Sequence, residues 1–175
     1  CRVRAGSFRV LAGYLRLAVD ADGSVPHVAS IARARGQRSP TSAALIVFNV
    51  TFSEPVTGVS APLFTTNGST ASVVGVSVSA ASVGAGSVCY NVTMTALSSG
   101  LVRLGVAAAP AGVTDLAGNA LSASNLTASV VFDNAAPTIA LVSLAKTQSA
   151  LTRVSPIVFN VTASEPLLGV SASLF

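Results

Sequence analysis

Residues 46–64 read IVFNVTFSEPVTGVSAPLF, and residues 157–175 read IVFNVTASEPLLGVSASLF. Fifteen of the nineteen positions are identical at a constant offset of 111 residues, so the chain carries an internal repeat. The offset continues upstream: Pro137-Thr138-Ile139-Ala140 follows Pro26-His27-Val28-Ala29 by 111 residues, and Asp133 follows Asp22 by the same distance. Three pieces are expected: residues 1–25 as the C-terminal end of one repeat, 26–136 as a complete repeat, and 137–175 as the N-terminal third of the next. The chain reads as a piece of a longer array.

Inside the repeated stretch the side chains alternate. Ile46, Phe48, Val50 and Phe52 fall on one face, with Val47, Asn49 and Thr51 on the other, which is the signature of a half-buried strand. Similar strands are expected at 12–22, 28–34, 58–64, 71–80, 101–107 and 126–132. In 88–95, Val88, Tyr90, Val92 and Met94 read inward, and Cys89, Asn91 and Thr93 outward. Ser53-Glu54-Pro55, Thr66–Ser69, the Gly-rich 83–87, Ser98–Gly100 and the loop 110–120 supply the turns. About seven strands at this spacing predict an all-β fold, an immunoglobulin-like seven-strand β-sandwich. Its core is expected to hold Ile46, Phe48, Val50, Phe52, Tyr90, Val92, Met94, Leu104, Val130 and Phe132.

Composition excludes several classes. The chain is 51% hydrophobic and 9% charged, yet its apolar residues are mostly Val and Ala mixed with Ser and Thr, with no unbroken apolar run of membrane-helix length. At 5% aromatic it lacks the girdles of a membrane barrel. Seven of ten basic residues (Arg2, Arg4, Arg9, Arg16, Arg33, Arg35 and Arg38) precede position 39 without interleaved aromatics. They read as charged strand edges that resist edge-to-edge pairing, not as a nucleic-acid surface. The two cysteines, Cys1 and Cys89, fall in different repeats, and no disulfide is expected between them.

FNVTFSEPV at 48–56, VTDLAGN at 113–119 and VVFDNAAPT at 130–138 together resemble the tandem Ig-like repeats of bacterial and algal surface proteins and adhesins. DNAAP at 133–137 is similar to the Asp-Asn-Ala-Pro linker of cadherins. The preceding repeat departs from the pattern, with DADGSVPH in place of DNAAPT and no equivalent of the DLAGN loop. The resemblance implies a non-catalytic spacer, stalk or adhesion repeat at the cell surface or in the extracellular space. Its partners would be neighbouring repeats of the same chain and a surface ligand that the residues do not name.

All six acids (Asp20, Asp22, Glu54, Asp115, Asp133 and Glu165) lie in linkers, in the Ser-Glu-Pro segment or in the Asp-Leu-Ala-Gly-Asn loop. In a sandwich those loops gather at one end. Asp22, Glu54 and Asp115, with Asn119, are therefore candidates to meet at the first junction, and Asp133 and Glu165 at the second. Two readings stand. One is a shared Ca²⁺ that stiffens the junctions, since calcium takes carboxylate and amide oxygens. The other is plain turn chemistry, with Asp and Gly chosen for backbone geometry. Five Asn-X-Ser/Thr sequons, at Asn49, Asn67, Asn91, Asn125 and Asn160, likewise leave two readings: glycan acceptors in a eukaryotic secreted protein, or by-products of Val-Thr alternation.

No catalytic constellation is present. The single histidine, His27, stands in a linker and is Thr138 in the next repeat, and Cys89 has no base in its pattern. The competing functional reading is a carbohydrate- or protein-binding accessory module of a secreted enzyme. A binding surface favours exposed aromatic anchors. Trp is absent and Tyr14 and Tyr90 both fall on strands, which favours the spacer.

Overall fold

The computed structural model describes residues 23–81, 86–107, 112–153, 155–171 and 173. The expected strand at 12–22, Asp20, Asp22, Tyr14 and Cys1 lie outside the described residues. The chain divides into two compact units, residues 1–134 and 135–175.

In the first unit the strands are β1 (Val28–Arg33), β2 (Leu45–Thr57), β3 (Phe64–Thr65), β4 (Val73–Ala80), β5 (Ser87–Ala96), β6 (Gly100–Val106), β7 (Thr114–Asp115) and β8 (Thr127–Phe132). They form open antiparallel sheets. One has the order β1-β2-β5-β4, with β7 added to the far end of β2, and the other has the order β3-β6-β8. The arrangement is all-β and consistent with a β-sandwich. Apolar side chains from both sheets make one core, in which Ile46, Phe48, Val50, Val92, Met94, Val102 and Leu104 are fully buried. All ten residues expected in the core are buried. Each Val, Ile, Leu or Phe so enclosed contributes about 1.5–3 kcal/mol relative to exposure. Phe52 meets Tyr90 edge to face at 5.6 Å, and the Tyr90 hydroxyl donates to the Val56 carbonyl at 2.8 Å.

Three expectations are corrected. Ser53-Glu54-Pro55 is not a turn, because β2 runs through it to Thr57. Its pairing with β5 jumps from Thr51↔Cys89 to Val56↔Ser87, so four residues of β2 face one of β5. Proline, which has no N–H to donate, is tolerated at such an irregularity. The second correction concerns Gly58–Phe64, which is not a strand: it is a loop ending in a 3-10 turn, Ala61–Leu63, with only Phe64–Thr65 paired. Gly58 has φ 78°, and Pro62 sits in the first turn of the 3-10 segment, so neither suits a ladder. Finally, Val88 is only half-buried, and Ser87 takes the enclosed position instead, its hydroxyl donating to the Cys89 carbonyl at 2.8 Å.

The second unit is a hairpin of β9 (Ile139–Leu144) and β10 (Phe159–Ala163). It reproduces the β1–β2 hairpin at the 111-residue offset. Val28 pairs with Phe52, and Ile139 pairs with Ala163 across the same irregularity. Gln37 Oε1 accepts from the Val47 N–H at 3.3 Å, and Gln148 Oε1 accepts from the Val158 N–H at 2.7 Å. Ser53 Oγ accepts from the His27 N–H at 3.0 Å, and Ser164 Oγ from the Thr138 N–H at 2.9 Å.

Candidate functional site

The Asp-Leu-Ala-Gly-Asn loop is built around its own carboxylate. β7 pairs with the end of β2, Val56 opposite Asp115 and Thr57 opposite Thr114, which draws the loop onto the first hairpin. Asp115 is 4% exposed. Its Oδ1 accepts from the Ala117 N–H at 2.9 Å and from the Asn119 N–H at 2.8 Å, and its Oδ2 accepts from Asn119 Nδ2 at 2.8 Å. The same Asn119 amide donates to the Ser24 carbonyl at 3.1 Å, tying the loop to the entering chain. Burial opposes the charged form of Asp115. The hydrogen bonds from the Asn119 side chain and from the backbone of Asn119, Ala117 and Gly118 outweigh it and hold the carboxyl below its ordinary range. This is an Asx turn whose acid is held by three hydrogen bonds from its own loop, with Gly118 at φ 95° closing it.

The other candidate acids sit on or beside strands. Glu54 is half-buried on β2, Asp133 is half-buried just past β8, and Glu165 is half-buried just past β10. Among the described residues, no three His, Cys, Asp or Glu side chains come together as a metal-holding group. Asp22, the remaining member of the expected first-junction set, lies outside the described residues.

The sequons separate into two kinds. Asn49 and Asn91 are directly paired across β2 and β5, and Asn49 Nδ2 donates to Asn91 Oδ1 at 3.1 Å. Both are half-buried in mid-sheet, and Asn49 Oδ1 is enclosed without a hydrogen bond. Asn67, Asn125 and Asn160 are exposed. Period-2 alternation put Asn49 and Asn91 on the outer face, but alternation does not register how far a cross-strand pair closes over itself.

One feature escaped the sequence reading. Asn67 and Asn125 line an open groove of about 460 Å³ with Arg103, Gly105, Leu126 and Thr127. Arg103 Nη2 donates to Thr127 Oγ1 at 3.3 Å. The available signal was Gly105 within a strand, which marks a shallow spot on a sheet face. Arg33, Arg35 and Arg38 are exposed, Arg33 on the edge strand β1.

Cys89 overturns one expectation, because it is disulfide-bonded and no described cysteine is free. The other half of that bond lies outside the described residues. The Thr51 hydroxyl lies 3.8 Å from its sulfur, across the β2–β5 ladder. Burial raises the Tyr90 phenol above its ordinary range, against a smaller opposing effect of a backbone hydrogen bond at Ser87. Among the described residues, no helix is long and apolar enough to cross a membrane.

No family model matches the chain, and neither the curated proteins nor the solved structures contain a match to it.

Proposed function

We propose that the chain is a segment of a tandem Ig-like repeat protein and acts as a non-catalytic extracellular spacer or stalk. The observation that carries this reading is the repeat itself, conserved in hydrogen bonds as well as in letters. Gln37 and Gln148 clamp equivalent amides of their hairpins, and Ser53 and Ser164 cap equivalent entering N–H groups. A unit reproduced at this level of backbone detail stacks with neighbours into an extended array, the use to which repeat proteins put nearest-neighbour contacts. Charge is sparse and the most buried acid among the described residues is committed to holding a turn, which suits a scaffold better than a reaction centre.

The test is accessibility on cells that express the full-length protein. An antibody raised against the chain should label intact, unpermeabilised cells, and added protease should remove the label. Labelling only after permeabilisation overturns the reading. A second reading, a binding module, rests on the groove around Arg103, where a guanidinium is flanked by polar side chains on an open sheet face. Saturable binding to a glycan panel that Arg103→Ala abolishes would favour it over the spacer.

A further inference from the structure

The sequons of the first unit differ in what their asparagines touch. Asn49 and Asn91 sit in the middle of a ladder: Asn49 lies between Ala32 and Asn91, and Asn91 between Asn49 and Ser79. The Nδ2 that would carry a sugar on Asn49 donates to Asn91 Oδ1, and the Asn49 Oδ1 is enclosed. A glycan there would have to break the pair and leave between flanking side chains. Asn67 and Asn125 are exposed, one just after β3 and the other just before β8. Both line the groove at Arg103. In that groove Gly105 is paired with Thr65 on one side and Thr127 on the other, and a Cβ on it would come within 3.3 Å of the Thr127 methyl and 3.5 Å of the Thr65 methyl. The hydroxyl residues of both sequons are anchored on Arg103. Ser69 Oγ donates to the Arg103 carbonyl at 3.4 Å and accepts from the Arg103 N–H at 2.9 Å, while Thr127 Oγ1 accepts from Arg103 Nη2 at 3.3 Å.

We propose that Asn67 and Asn125 are a pair of N-glycan acceptor sites whose first sugars lie in the groove over Arg103, and that Asn49 and Asn91 stay bare. The proposal rests on the extracellular reading above, because N-glycosylation belongs to a secretory route. The attached group is bulky and polar, so its asparagine must stand at the surface with open space beside it. Asn67 and Asn125 meet both conditions, and the groove between them, about 460 Å³, is of the size that holds a small ligand. The Asn67 N–H donates to Thr65 Oγ1 at 3.2 Å, which fixes the first acceptor to the end of its strand. A guanidinium carries five N–H donors, and the bond from Arg103 to Thr127 uses one of them. The remaining donors suit the hydroxyl and acetamido oxygens of an attached sugar. β3 and β8 are the outer strands of their three-stranded sheet, so each outer strand has one glycan beside it, where a bulky hydrated group opposes edge-to-edge pairing. In a chain with only 9% charged residues, the two glycans supply hydration that charge does not. A groove filled from within the chain also removes the site on which the binding-module reading depends.

The experiment secretes the full chain from a eukaryotic host, releases its N-glycans enzymatically in heavy-oxygen water and maps the labelled aspartates by mass spectrometry. Asn67 and Asn125 should carry glycan in most copies, and Asn49 and Asn91 should be occupied at least about tenfold less. Asn67→Gln and Asn125→Gln should each remove one glycan from the intact mass. An arginine-selective dicarbonyl reads the groove: Arg103 should react about tenfold more slowly before the glycans are released than after, because a bulky group covers it. Arg33, exposed on β1, should react equally in both states and serves as the control. Three outcomes overturn the proposal: Asn67 or Asn125 is bare in the secreted chain, Asn49 or Asn91 is occupied as fully as they are, or Arg103 reacts at the same rate with and without glycans. The host supplies the secretion, so none of these results depends on where the protein stands in its own cells. A failure here is therefore distinguishable from a failure of the spacer reading, which the labelling of intact cells decides.

Discussion

The two hairpins are close to a controlled comparison within one molecule. β1–β2 and β9–β10 share pairing register, the irregularity at the start of the first strand, the glutamine clamp and the serine cap. They differ in what lies beneath them: the first shares a core with the β3-β6-β8 sheet, and Phe159 in the second is 57% exposed where Phe48 is 0%. Local hydrogen bonding and turn chemistry are thus encoded within some thirty residues, whereas burial is a property of the partner. A two-stranded hairpin alone is marginal in water, so the stability of the second depends on being covered.

The widest gap between the hairpins should come from their shared phenylalanine. Phe48→Ala removes a fully buried ring and should destabilise the first unit by about 3–5 kcal/mol. Phe159→Ala removes an exposed ring and should change the chain's stability by no more than about 0.5 kcal/mol. Urea denaturation followed by Tyr fluorescence and far-UV circular dichroism measures both. Equal effects would mean that the second face is already covered in solution.

A smaller difference should separate two glycines at the same repeat position. Gly58 and Gly169 have φ of 78° and 73°, in the left-handed region that favours glycine. A Cβ on Gly58 would overlap the Gly112 carbonyl oxygen, and one on Gly169 would meet nothing within 4 Å. Gly169→Ala should therefore cost about 1 kcal/mol from the dihedral alone. Gly58→Ala should cost about 2–4 kcal/mol, as the 112–113 backbone must also move. Thermal unfolding of the two variants sharpens the comparison, because their sequence neighbourhoods are nearly the same.

How far the sequence could be read follows from the same physics. Alternation located the core residues of β2, β5, β6 and β8 because a period of two is imposed by the pleat and needs no knowledge of the partner. It failed where the ladder is interrupted. Glu54-Pro55 looked like a turn because proline breaks pairing, yet there β2 leaves β5 and reaches β7, so no donor is missed. Val88 was assigned inward by extending a rhythm that this irregularity disrupts. At the candidate site, the Asp-Leu-Ala-Gly-Asn spelling was legible as a turn. That both carboxylate oxygens of Asp115 accept hydrogen bonds inside it depends on the loop's closure and could not be counted from spacing. The disulfide at Cys89 was missed because repeat position says nothing about which side chains meet in space.

The smallest effects should come from the acid turn, and they too divide the two hairpins. Asp115 is held below its ordinary pKa in the folded chain, so its contribution is fully present above the unfolded value near 3.8 and is lost as pH falls through the lower folded value. Because β7 is paired with Val56 and Thr57, loosening of that turn should appear as faster amide exchange at 54–57 below about pH 4. The 139–163 hairpin, which has no such loop among the described residues, should show no matching step once the intrinsic pH dependence of exchange is removed. Asp115→Asn keeps the shape but weakens acceptance from Ala117 and Asn119, and should flatten the step in 54–57. Calcium is the companion test. The two Asp115 oxygens already accept three hydrogen bonds, which stabilise the carboxylate without an ion. Millimolar calcium should move the melting temperature of the chain by less than about 1 °C. A rise of several degrees that Glu54→Ala abolishes would instead mean that the turn opens to share an ion at the junction, and the first hairpin would then be stabilised from its loop end as well as from its core.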